Sequence, residues 1–115
     1  MANRHRGEIS ATLDGMQYTL VLTLGALAEL EAAFGADDMV ALAARFDGGR
    51  LKAQDCVRII GAGLRGAGYV VQDAEVADMQ CDAGAAGFVS IVADLLRATF
   101  ANGAAAASAE GEAQT

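Results

Sequence analysis

From Glu8 to Thr23 apolar and polar residues alternate along the chain, and Asp14-Gly15 interrupts the alternation at its middle. Alternation of period two on both sides of an Asp-Gly pair predicts two antiparallel strands joined by a two-residue type I′ turn, in which both central residues take positive φ. That turn fixes the register: Leu13 pairs with Met16, Ala11 with Tyr18 and Ile9 with Leu20. All six then share one face, with Glu8, Ser10, Thr12, Gln17 and Thr19 on the other. A lone hairpin is marginally stable, so helices are expected to cover its apolar face.

Helical spacing replaces the alternation after Thr23, a good N-cap, with Leu24, Leu27, Leu30 and Phe34 three and four positions apart. Gly35 sits where a C′ glycine stops that helix. Asp37 and Asp38 place carboxylates at the start of a second helix, where the macrodipole favours them. Met39, Leu42, Ala43 and Phe46 form its stripe, and Asp47-Gly48-Gly49 ends it. A third helix from about Ala53 carries Val57, Ile60 and Leu64 on one face and runs into Gly66 and Gly68. Asp73 is expected to cap a short fourth segment through Met79. Asp82 opens the last helix, striped by Phe88, Ile91, Val92, Leu95, Leu96 and Thr99. Beyond Phe100 no large apolar residue remains, and such a segment cannot bury enough surface to order itself. The pattern therefore predicts an α+β fold: an N-terminal two-stranded antiparallel hairpin packed on a bundle of four to five helices, with a disordered C-terminal tail. In domain terms residues 1–6 read as a flexible N-terminus, 7–101 as a single α+β domain, and 102–115 as a disordered, alanine-rich, acidic tail.

Length agrees with one domain, since 115 residues suffice for a core without help from a metal or disulfide. Aromatic residues make up only 5% and tryptophan is absent, so the core must come from leucine, valine, isoleucine and alanine. The net charge of −7 repels phosphate backbones and argues against nucleic-acid binding. The imbalance is uneven: residues 1–65 are nearly neutral, whereas residues 66–115 carry Arg97 as their single basic residue. Any local basic surface must come from the first half. MANRHRGE has no apolar run behind it to make a secretory signal, and no stretch approaches the ~18 apolar residues of a membrane span. Cys56 and Cys81 are accordingly expected as free thiols, and the chain as cytoplasmic.

The strongest motif match is Gly61-Ala62-Gly63-Leu64-Arg65-Gly66, which satisfies the G-x-G-x-x-G of dinucleotide-binding turns. Its context does not fit. That motif needs a strand before it and a long helix after it, whereas Arg58 and the spacing through Leu64 make the preceding segment helical. Glycines on a helix let a neighbouring backbone approach closely, so packing is the expected role. Catalytic constellations are thin. His5 is the single histidine and lies between Arg4 and Arg6, away from any held partner, so neither a Ser-His-Asp nor a Cys-His arrangement is available. Cys56 and Cys81 lack zinc-site spacing. The neighbouring carboxylates Glu29/Glu31 and Asp37/Asp38 point in different directions on helices. The chain is not expected to be an enzyme or to need a cofactor. Arg58 and Arg65, seven apart on one helix face, read either as a solvated stripe or as a dock for an acidic partner helix.

The run GEISATLDGMQYTLVLTLGALAELEAAFGADDMVALAARF, followed by GAGLRGAG, resembles the small tail-assembly-chaperone-type proteins of gene transfer agents, the phage-like particles of alphaproteobacteria. The resemblance spans roughly residues 5–100 and rests on the Asp14-Gly15 hairpin, the leucine-rich helix ending in Phe34-Gly35, and the stretch Ala62 to Gly68. It implies a chaperone that binds the tape-measure protein, with the tail tube protein as a further partner, and assists tube assembly, with a homo-oligomer left open. It implies no catalytic residues. On the residues themselves, Arg58, Gly61, Gly63, Arg65 and Gly66 form the candidate partner surface, because they combine close-approach positions with a basic stripe. A structural tail component such as a terminator or connector, or a small regulatory module of the host, remains as an alternative.

Overall fold

Asp14 and Gly15 take φ values of 54° and 75°, the left-handed pair a type I′ turn requires. They join strands β1 (Glu8–Leu13) and β2 (Met16–Val21) in the register read from the sequence, from Leu13 opposite Met16 to Glu8 opposite Val21. The computed structural model of the chain describes residues 2–46 and 50–101. Ile9, Ala11, Leu13 and Leu20 are buried, while Met16, beside the turn, is mostly exposed. The turn is also fastened at long range. The Asp14 N–H donates to the Gln80 carbonyl at 2.8 Å, and the Gln80 N–H donates to the Asp14 carboxylate at 2.8 Å.

Helix α1 (Leu24–Phe34) starts at Thr23, whose hydroxyl accepts from the Ala26 N–H at 3.1 Å, and stops at Gly35 with φ 67°. Its buried face centres on Ala26, Leu27 and Leu30. At 100° per residue Leu24 lies about 115° from that centre, which turns it to solvent although it matches the stripe by spacing. Helix α2 (Met39–Arg45) is capped by Asp38, whose carboxylate accepts from the Ala41 N–H at 2.8 Å. Leu42 and Phe46 are buried as expected, and Met39 is not. The Asp47-Gly48-Gly49 stop lies outside the described residues. Because α2 has only seven residues, its cap matters. Replacing Asp38 by Ala is expected to cost about 1 kcal/mol in urea unfolding.

Helix α3 (Ala53–Gly66) is the centre of the domain, packed by β2, α1, α4 and α5. Neighbours on several sides explain why its buried residues do not form the single stripe its spacing predicts. Ile59 and Ile60 are both fully buried, and so is Ala62, whereas Val57 is half-buried. Helix α4 (Asp73–Ala77) starts at Gln72, whose N–H donates to the Glu75 carboxylate at 2.8 Å. Asp73, the expected cap, lies one step inside. Helix α5 (Gly84–Leu96) begins two residues after Asp82, at a glycine with φ 64°. It continues into a π-helical turn (Arg97–Ala101), where the Thr99 hydroxyl donates to the Leu95 carbonyl at 2.7 Å.

Residues 4–6, expected as part of a flexible lead-in, form a turn of 3-10 helix, closed by the Asn3 N–H donating to the Glu8 carboxylate at 2.8 Å. That turn packs on the π-helical turn. Among the described residues the result is the expected α+β arrangement, a two-stranded hairpin and five α-helices around one apolar core. The tail predicted for residues 102–115 lies outside the described residues.

Candidate functional site

The Gly61–Gly66 segment occupies the second half of α3, so its glycines belong to a helix and not to a strand-to-helix turn. Each one makes room for a different neighbour. A Cβ on Gly61 would collide with the carboxylate of Asp73. One on Gly63 would stand 2.8 Å from Leu95 Cδ2 and 3.2 Å from Leu20 Cβ. One on Gly66 would come closer than 3.0 Å to the Val21 carbonyl oxygen. Three bare faces thus admit α4, then α5 with β2, then the backbone of β2.

Arg65 completes the arrangement. Its Nη2 pairs with the Glu29 carboxylate of α1 and with Asp73 Oδ1 of α4 at 3.0 Å, and its Nη1 donates to the Val71 carbonyl at 2.9 Å. The Glu29 hydrogen bond, joined by Asp73, holds the guanidinium charged against the opposing effect of burial. Four of the five residues chosen as a partner surface are therefore committed inside the domain. Gly61 and Gly63 are buried, Gly66 abuts β2, and Arg65 ties α1 to α4. Arg58 stands apart from them, half-buried and with no ion pair among the described residues. The two arginines share a helix face but do not form a stripe free for docking.

A second charged corner lies at the start of α3. The Arg45 guanidinium sits 4.8 Å from the Phe34 ring centre and 5.7 Å from that of Phe46, and the two rings meet edge to face at 5.2 Å. Arg45 Nη2 also reaches Asp55 Oδ1 at 3.6 Å. Asp55 itself is buried and accepts from the Lys52 N–H at 3.1 Å. Arg50 and Lys52 beside it are exposed.

Between the first half of α3, the end of α4 and the start of α5 lies an apolar groove of about 270 Å³, lined by Leu51, Val57, Ile60, Val76, Phe88 and Val89 among others. Sequence reasoning did not anticipate it, because Leu51 and Val89 belong to no expected stripe. Cys56 forms part of its wall, and burial, reinforced by the Asp55 carboxylate, pushes the thiol pKa up. Cys56 and Cys81 are free; Cys81 is half-buried against Gly87. His5 is exposed on the 3-10 turn. Among the described residues no cluster of three or more His, Cys, Asp or Glu side chains could hold a metal ion, and no helix is long and apolar enough to cross a membrane.

Residues 6–102 match the family described as phage tail tube protein, GTA-gp10. No curated protein and no solved structure is detectably similar to the chain. The match corrects the role implied by resemblance. A tail tube family points to a structural component, not to a chaperone that carries the tape-measure protein. The motifs behind the resemblance explain the error, because the structure assigns them to a hairpin turn, a helix stop and helix packing. Such features report a fold and leave the role open. What they do establish agrees with the match, which takes in more than four fifths of the length: the chain belongs to the GTA-gp10 phage tail tube family of gene transfer agents and phages.

Proposed function

We propose that this chain is a structural subunit of the tail of a gene transfer agent or phage-like particle, incorporated into the tube and acting through contacts with neighbouring tube subunits. Its work is assembly, without catalysis or a bound cofactor. The observation that carries this reading is the family match over residues 6–102. Two physical features accord with it. The net charge of −7 keeps unassembled subunits apart and soluble until specific contacts outweigh the repulsion. The domain also leaves apolar residues such as Leu24, Val40 and Val70 largely exposed, as surfaces covered in an assembly would be.

Quantitative mass spectrometry of purified particles tests the proposal. The chain is expected in many copies per particle, well above any single-ring tail component. A terminator or connector would appear at the copy number of one ring. Absence from particles that do contain the other tail proteins would overturn the structural role.

A further inference from the structure

Two apolar features lie at opposite ends of α3. The groove occupies the first half of the helix, with Val57 and Ile60 on its floor and the half-exposed Val89 at its edge. At the other end, the loop after Gly66 carries Val70 outward and lays Tyr69 against the hairpin, its hydroxyl accepting from the Thr19 N–H at 3.5 Å. Val70 is 100% exposed, and Tyr69 is 38% exposed although its ring leans on Tyr18. Ile60, the α3 lining residue nearest the tip, precedes the end of the helix by about 9 Å, and neither Tyr69 nor Val70 lines the groove of its own molecule.

We propose that the Tyr69-Val70 tip of one copy seats in the α3/α4/α5 groove of the next, forming a head-to-tail contact between copies of this chain. The inference rests on the tail-tube reading and names the surfaces that reading leaves unspecified. Size and polarity agree: at about 270 Å³ and lined almost wholly by apolar side chains, the groove has room for an apolar side chain. Charge gives the contact a direction. The α2–α3 side of the groove carries Arg45, Arg50 and Lys52, opposed locally by the buried Asp55. The tip is flanked by Glu29, Asp73 and Glu75, with Arg65 already paired to the first two. Basic flank thus meets acidic flank when the tip enters. Asp78 and Asp82, exposed and next in sequence to or near the lining residues Ala77, Met79 and Ala85, offer an acidic tip no such complement. A contact between two different surfaces of the same molecule is heterologous; it propagates into a ring or an open filament, the kind of repetition a tube requires.

The test is self-association of the full chain, followed by sedimentation over a range of concentrations, in the wild type and in the variants Val70→Asp and Val89→Asp. Both positions are exposed enough for the fold to tolerate the change, which circular dichroism verifies. Each variant is expected to weaken association at least tenfold. An equimolar mixture should recover a one-to-one complex, because one variant keeps its groove and the other its tip. If both variants associate as the wild type does, this interface is wrong while the tube reading stands. Mixtures that fail to pair, although each variant alone is weakened, would overturn the head-to-tail arrangement. A wild type that stays monomeric at every concentration overturns the contact, and the copy number in particles then decides the tube reading separately.

Discussion

Replacing Gly66 by alanine is expected to destabilise the protein by about 2 kcal/mol, although alanine is the better helix former. The helix-propensity gain for such a change is at most about 1 kcal/mol. Against it stands a steric conflict that no rotamer relieves, because the new Cβ lies closer than 3.0 Å to a backbone oxygen, that of Val21. A methyl forced into a packed contact costs about 1–3 kcal/mol, and more where the neighbour cannot rotate away. Relief requires moving the end of α3 away from β2. That shift also strains the Gly63 position, where Leu20 and Leu95 already fill the space. Gly25 supplies the control: a Cβ there meets only the Thr23 hydroxyl oxygen, at 3.9 Å. Gly25→Ala should therefore be neutral or slightly stabilising under the same urea unfolding. Equal stability of the two variants would show that α3 and β2 are not in close contact.

The contrast between these glycines marks what sequence reading can reach. The hairpin register, the Thr23 cap, the carboxylates at the start of α2 and the Gly35 stop depend on interactions within a few residues, and local pattern specified them correctly. Close packing by the α3 glycines was also legible, since few other roles suit glycine in a helix. Their neighbours were not. Val21, Leu95 and Asp73 reach α3 from three separate elements, and nothing in the spacing of the motif says which. The same limit misplaced Arg65. Its charge and periodicity match those of a solvated arginine, and only the folded chain brings Glu29, 36 residues earlier, to its guanidinium. The groove was invisible for a related reason, because it is assembled from the ends of three helices that no single periodic stripe connects. The role is less legible still, because motifs that encode packing are compatible with a chaperone and with a tube subunit alike.

Arg65→Leu is expected to cost about 2 kcal/mol, and the distribution of that loss is more informative than its size. Leucine keeps the apolar stem but removes the hydrogen bonds to Glu29 of α1 and the Val71 carbonyl and the ion pair with Asp73 of α4. The Glu29 side chain is 43% exposed and returns to water at little cost, so its pair contributes the smaller share. Asp73 is less fortunate. Its side chain is 35% exposed, but Oδ1 is buried against the bare face of Gly61, and without the guanidinium that oxygen loses its cation. Glu29→Gln should therefore lose less than 1 kcal/mol, whereas adding Asp73→Asn to Arg65→Leu should recover part of the loss by removing the stranded charge. Arg65→Lys should fall between the wild type and Arg65→Leu, since one ammonium can reach a carboxylate but cannot span all three acceptors. Arg58→Leu, one turn-pair earlier on the same helix face, should change stability by no more than about 0.5 kcal/mol. If Arg58 and Arg65 proved equally dispensable in urea unfolding, the tie between α1 and α4 would have no energetic content, and the stripe would again be free to serve a partner.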